Sequence, residues 1–246
     1  MPAWLETFAE SLWLQPDDTG VEEADFLRRA LGLCCGQAVL DAPCGAGRIA
    51  LPLALAGLQV TGVDRQESFL RRARARFRRA GYAGRFLRRD LRGIDFDNEF
   101  DAVINWGGSF GYFSDEGNQD LLHRYARALQ PGGRLLIDQL NRERCLRHWL
   151  PQIERPGVVI TNHWNPATER DESVYHTAEG EFALSFRHYT PGQMRRMLEK
   201  VGLEVERMYG SSGGEAFGRG TRRMIVVGSK GLETGRRRRS ISHKAR

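Results

Sequence analysis

"VLDAPCGAGRIA", residues 39–50, decides how the rest of the chain is read. Val39 and Leu40 are strand formers that lead into Asp41, Gly45-Ala46-Gly47 supplies a tight turn, and the apolar run "IALPLALAGL" then starts a helix. Gly45-x-Gly47-x-x-Ala50, with Asp64 ending the next strand-like run, formally satisfies the dinucleotide fingerprint. Asp41 argues against that ligand. Its carboxylate would stand beside a pyrophosphate, anion against anion, and only Arg48 at the start of the helix offsets part of the cost. A ligand with a cationic group near Asp41 and a neutral ribose near Asp64 suits the loop better. Cys44 sits where a helix N-terminus lowers a thiol pKa, but no histidine is near in sequence, so it reads as a small residue packed under the loop.

Working outward, short β-rich runs recur at "QAVLD" (37–41), "QVTGVD" (59–64), "GRFLRRD" (84–90), "FDAVIN" (100–105) and "GRLLID" (133–138). Three of the four intervals contain helical material, and this alternation predicts a parallel sheet with helices on both faces. In the helix expected over 66–80, Phe69, Leu70, Ala73, Phe77 and Ala80 form one stripe, with arginines around the rest. Pro52 either kinks the helix after the glycine loop or lies in its first turn.

The flanks follow other patterns. Residues 1–36 read as two amphipathic helices, the first with Trp4, Leu5, Phe8 and Leu12 at helical spacing and the second at "VEEADFLRRALGL". After Asn141, "PGVVITNHWNP", "ERDESVYHTA" and "EFALSFRHYT" predict three strands without helices between them, an antiparallel insertion over 142–189. "TPGQMRRMLEKVG" opens with Thr190 as N-cap, Pro191 at the first helical position and Gln193 completing a capping box. "LEVERMYG" and "RRMIVVGS" form a closing β pair, so 37–141 and 190–230 make one α/β core, followed by a basic tail over 231–246 that reads as disordered.

Charge is concentrated in two places. Residues 71–92 hold ten arginines against Asp90 alone, a net +9, and 235–246 carries +6; with +6 over the 246 residues, the remainder carries −9. Two basic patches on an acidic body do not by themselves specify nucleic acid. The longest apolar run is ten residues with a proline, which excludes a membrane-spanning helix. Cys34, Cys35, Cys44 and Cys145 lack metal-type spacing, so no metal is expected, and free thiols in a reducing cytoplasm are.

"VLDAPCGAGR", "VTGVDRQESFLRRAR", "FLRRDLRG", "FDAVINWGGSFGYFSD" and "LQPGGRLLID", in this order, resemble the class I S-adenosylmethionine-dependent methyltransferases, a bacterial small-molecule subgroup in particular. The resemblance covers most of the chain. It implies a doubly wound, seven-stranded, mostly parallel Rossmann-like sheet with an N-terminal helical lid and a small antiparallel cap over substrate. It implies S-adenosyl-L-methionine as cofactor: Asp41, Ala42, Gly45 and Gly47 at the methionine end, Asp64 and Arg65 at the ribose, Asp90 and the Leu91 N–H at the adenine, and Asn105 beside them.

Substrate is expected at the carboxyl ends of the strands. That places Asn105, Trp106, Ser109, Phe110 and Tyr112 of "NWGGSFGYF" along the methyl-transfer channel. The segment lacks the Pro-Pro-aromatic signature of enzymes acting on base amines, which argues against DNA. "SFRHYT" resembles the Arg-x-Tyr-Thr segment of the small-molecule subgroup, implying that Arg187 and Tyr189 face substrate and that Trp4 and Phe8 belong to the lid. Tyr112, His188 and Tyr189 are candidate proton acceptors, with His163 and His176 behind them. "YGSSGGEAFG" replaces the acidic loop often found before the last strand. The expected function is methyl transfer to N or O of a small molecule. Two alternatives stay open: an RNA methyltransferase using the arginine helix and tail, and a non-catalytic binding module on the same fold.

Overall fold

The computed structural model describes residues 20–232. The expectations for Trp4, Phe8 and most of the basic tail therefore lie outside the described residues. Helix α1 (Val21–Leu31) comes first, with Glu22 and Glu23 at its N-terminus and Arg28 and Arg29 at its C-terminus, the polarity that complements the helix dipole. Then come β1 (Ala38–Asp41), α2 (Ala50–Leu55), β2 (Gln59–Asp64), α3 (Glu67–Arg79), β3 (Arg85–Arg88), a 3-10 turn at Leu91–Gly93, β4 (Phe100–Asn105), α4 (Asp115–Ala128) and β5 (Leu129–Leu140). A short α5 (Arg142–Arg147) leads into β6 (Gln152–Arg155), β7 (Val158–Asn165), β8 (Arg170–Thr177) and β9 (Gly180–Arg187), and α6 (Pro191–Glu199), β10 (Leu203–Tyr209) and β11 (Arg223–Lys230) close the fold.

The main sheet has seven strands in the order β10-β11-β5-β4-β1-β2-β3. β11 pairs antiparallel with β5 and β10, and the other pairings are parallel. Side chains alternate across the sheet, so Val39, Ala102, Ile104, Leu136 and Ile225 pack under α1, α2 and α3. Leu40, Val103, Leu135, Ile137 and Val226 pack on the opposite face against α4 and α6. Phe77 of α3 and Tyr125 of α4 are almost fully buried, and burial of an aromatic ring of this kind contributes about 1.5–3 kcal/mol.

Local signals are met at most boundaries. Thr190 accepts from the Gln193 N–H and Gln193 returns the bond to Thr190, the expected capping box. Pro52 is the third residue of α2, inside its first turn, where no intrahelical N–H bond is lost. Four points differ from the sequence reading. The inserted sheet has four strands rather than three, because β6, "QIER", whose short run shows no apolar alternation, pairs with the edge of β7, Ile153 opposite Ile160. β5 starts before the run expected at 133–138, at Leu129, and its pairing with β4 jumps register across Gln130–Gly133, from Phe100 opposite Leu129 to Ala102 opposite Arg134. Arg76 of α3 is buried rather than solvated. Much of the arginine segment is also spent locally: Arg74 binds Glu67 and the Phe86 carbonyl, Arg85 pairs with Glu99, Arg89 with Asp95 and Arg92 with Asp90. Among the described residues no helix is long and apolar enough to cross a membrane.

Candidate active site

β1 and β4 are neighbours from which the chain order runs outward in both directions, so their carboxyl ends form the crevice where an open α/β sheet binds ligand. A cavity of about 430 Å³ opens there, lined by Asp41, Cys44 and Gly45 after β1, Asp64, Arg65 and Gln66 after β2, Asp90 and Leu91 after β3, and Trp106, Ser109 and Tyr112 after β4.

Two carboxylates dominate its electrostatics. Asp41 is 2% exposed, and burial, reinforced by the neighbouring Asp64 charge, pushes its carboxyl up to about 8. Its Oδ2 has no hydrogen-bond partner among the described residues. An unsatisfied buried carboxylate oxygen is costly, and a cationic ligand group is the partner that removes the cost. Asp64 is buried but satisfied, accepting from the Gly45 N–H at 2.9 Å and the Gln66 N–H at 2.8 Å. Burial raises its pKa, and these backbone bonds pull it back. Asp90 caps the 3-10 turn and pairs with Arg92, whose hydrogen bond lowers its pKa. It thus lines the cavity and pairs with a neighbouring arginine at the same time.

The loop between the strand and the helix is divided in its duties. Gly45 has φ +51°, and a Cβ there would meet no protein atom, which leaves its cavity side open. Gly47 is not in the cavity wall: a Cβ on it would stand 3.0 Å from the Ala73 Cβ, so it permits loop and α3 to touch. Cys44 is buried; burial, then Asp41 and Asp64, push its thiol well above the usual range, a packed thiol and no nucleophile. Ala42 and Asn105 lie behind the wall, the Asn105 amide donating to the Ala42 carbonyl at 3.2 Å and to the Tyr125 hydroxyl at 3.0 Å.

After β4, Trp106, Ser109, Tyr112 and Phe113 line the cavity. Phe110 does not; it is in the core against Tyr189. Arg187 and Tyr189, expected to face substrate, are likewise absent from the wall. Arg187 is buried between Asp115 (3.0 Å) and Glu169 (2.5 Å), and the Tyr189 hydroxyl donates to Asp115 at 2.9 Å and accepts from Asn118. The two join the inserted sheet to α4, a structural duty that a motif shared along the chain does not reveal. Of the candidate bases, only Tyr112 reaches the cavity. His188 is buried against Trp164, 3.7 Å from Asp171, His176 lies between Thr161 and Glu181, and His163 is exposed on β7.

Three wall or rim residues escape a motif reading. Glu23 of α1 accepts from the Trp106 indole at 3.2 Å and pairs with Arg48, tying the first described helix to both sides of the cavity. Phe69 and Arg76 line the cavity from α3, at i and i+7, flanking the Ala73 that meets Gly47. Their helical register with Ala73 was the available signal.

Comparison with known proteins agrees with this geometry. Residues 39–133 match the model of a methyltransferase domain. The glycine/sarcosine N-methyltransferase of Halorhodospira halochloris is 30% identical over 206 residues, covering 79% of this chain and 75% of that protein. The cypemycin N-terminal methyltransferase of a Streptomyces species is 28% identical over 78% of this chain and 82% of its own length. In three dimensions the CcbJ methyltransferase of Streptomyces caelestis superposes with a TM-score of 0.72 at 19% identity, over 94% of this chain and 95% of its own. The chain belongs to the class I S-adenosylmethionine-dependent methyltransferases.

Proposed function

We propose that this enzyme transfers a methyl group from S-adenosylmethionine to the amine nitrogen of a small molecule. The observation that carries the reading is the buried Asp41 carboxylate, with one oxygen unpartnered, in the wall of a cavity that Asp64 and Asp90 also line. Asp41 would hold the cofactor's ammonium, Asp64 its ribose hydroxyls, and Asp90 with the Leu91 N–H its adenine. The bound cofactor supplies an electrophilic methyl on a sulfonium.

The protein's remaining task is alignment and exclusion of water, because an uncharged amine needs no base to attack. Trp106, Ser109 and Tyr112 supply the acceptor wall. The inserted sheet, which holds the loop after β4, forms the cap on this reading. An amine acceptor is supported by the two N-methyltransferase relatives, each matched over about three quarters or more of its length. Cytoplasmic operation is supported by the exposed free thiols of Cys34 and Cys35.

The test is incubation with deuterated-methyl S-adenosylmethionine and a panel of amines (glycine, sarcosine, short peptides, amino sugars) beside their hydroxyl analogues, read by mass spectrometry. Labelled amines, lost in Asp64→Ala, are expected. Label on hydroxyl acceptors alone, or transfer indifferent to Asp64→Ala, overturns the proposal.

A further inference from the structure

The acceptor wall is held from outside the core. Arg170, half-buried on β8, directs its guanidinium at three successive carbonyls of the loop after β4: Nη2 donates to Gly111 at 3.1 Å and Tyr112 at 3.2 Å, and Nη1 to Phe113 at 3.0 Å. Its orientation is set by β9, where Ser185 accepts from Nε through its hydroxyl at 2.7 Å and from Nη2 through its carbonyl at 2.9 Å. The Arg187 N–H also donates to the Gly111 carbonyl at 2.8 Å. Contact there is so close that a Cβ on Gly111, at φ +112°, would stand 2.4 Å from the Arg187 carbonyl oxygen. The Tyr112 ring lies against Phe186 at 4.7 Å. At the other end of the loop the Gly107 N–H donates to Asp138 at 3.0 Å, and Arg223 pairs with that carboxylate.

Two of the three carbonyls that Arg170 captures belong to Tyr112 and Phe113, both of which line the cavity. We propose that Arg170 is a positioning residue for methyl transfer: it fixes the Tyr112–Phe113 wall against the inserted sheet and so sets where the acceptor stands relative to the cofactor. The inference rests on the reading that this loop faces the acceptor. It follows from donor geometry, because a guanidinium presents five N–H groups in one plane, whereas an ammonium is a point charge with three donors and cannot hold the same set of carbonyls in plane. A displacement of the reacting partner by about 1 Å costs on the order of 10²-fold in rate. None of Arg170's hydrogen bonds goes to Asp41, Asp64 or Asp90, the carboxylates that would hold the cofactor, so cofactor affinity should be spared.

The test uses the full chain labelled with 3-fluorotyrosine, Tyr112→Phe assigning the Tyr112 signal and the exposed Tyr82 serving as internal control. In Arg170→Met the Tyr112 fluorine resonance should shift or broaden, with Tyr82 unchanged, the Arg170→Lys signal intermediate, and S-adenosylhomocysteine affinity within about two-fold of wild type. Transfer to whichever amine of the panel is labelled should fall about 10²-fold through acceptor KM and kcat. An unmoved Tyr112 resonance in either variant, or loss of S-adenosylhomocysteine affinity in step with it, overturns the proposal. Should Arg170→Met not fold, the same criteria apply to Arg170→Lys. Failure of wild type to bind S-adenosylhomocysteine would instead strike at the methyl-transfer reading, since the fluorine signal in the free protein reads the wall independently.

Discussion

The Tyr125 hydroxyl donates to the Ala42 carbonyl at 2.7 Å while accepting from the Asn105 amide at 3.0 Å. The first residue after Asp41 is therefore held from α4 on one side and from the end of β4 on the other. Tyr125 and Asn105 are both fully buried; the hydroxyl, the Asn105 NH2 group and the Ala42 carbonyl satisfy one another, while the Asn105 Oδ1 has no partner among the described residues.

Tyr125→Phe should remove this pin. The Asn105 amide then loses one acceptor and the Ala42 carbonyl one donor, a loss of about 1–2 kcal/mol. Urea unfolding measures it, and S-adenosylhomocysteine titration should show affinity falling several-fold because the Asp41 turn is less well held. Wild-type stability in the variant would show that the pin carries no weight.

Proton uptake gives a second handle. With its carboxyl raised to about 8 by burial and Asp64, Asp41 is mostly protonated in the free protein at neutral pH. On the proposed reading a cofactor ammonium against it would drive ionisation, so calorimetry near pH 7 in buffers of different ionisation enthalpy should detect release of close to one proton. Asp41→Asn should release none and bind more weakly. In the free protein the raised pKa has the opposite sense for folding: the unfolded chain ionises near 3.8 and the native one near 8, so this group's contribution to stability is lost as pH rises through that window.

Glu169 behaves in the other direction. Burial alone would raise its carboxyl, but hydrogen bonds from Gln193, Arg142 and Arg187 outweigh it and bring it down to about 2. Its native pKa lies below its ordinary 4.5, so the stability it contributes is present above about 4.5 and lost as pH falls toward 2. Glu169→Gln should be less stable than wild type at neutral pH, with the gap closing through that acid window. Urea titrations at a series of acid pH values measure it; a gap independent of pH would contradict the assignment.

Asp138 and Arg223 form a pair in which the carboxylate is buried and also accepts from the Gly107 N–H. Asp138→Ala strands the guanidinium and frees the loop, and should cost about 3–5 kcal/mol. Asp138→Leu with Arg223→Met together should cost much less, because no charge is left unpaired. Equal losses in the single and double variants, by thermal or urea unfolding, would show that the charges are not coupled.

The core was legible in the chain because its signals are local. β2 and β4 coincide with the runs "QVTGVD" and "FDAVIN", and Thr190 and Gln193 cap α6 as their spacing requires. β6 was not legible: a four-residue run with one apolar residue, Ile153, becomes a strand because β7 offers its backbone edge. Arg76 was placed on a solvated face because helical periodicity marks only a stripe, and a long side chain beside that stripe can still reach the cavity.

By itself the sequence determined the strand ends that carry Asp41 and Asp64 and the turn past β3 that carries Asp90, since parallel strands alternating with helices bring their carboxyl ends to one edge. Only the tertiary structure decided that the described inserted segment lines none of the cavity and instead holds the loop after β4 and α4 in place. Arg187 and Tyr189 lie at the end of a strand whose sequence fits either role; the packing of that strand against Asp115 and Asn118 buries them, while Arg170, unmarked by any motif, reaches the loop after β4. That outcome depends on contacts between residues some sixty to seventy positions apart, which no local pattern records.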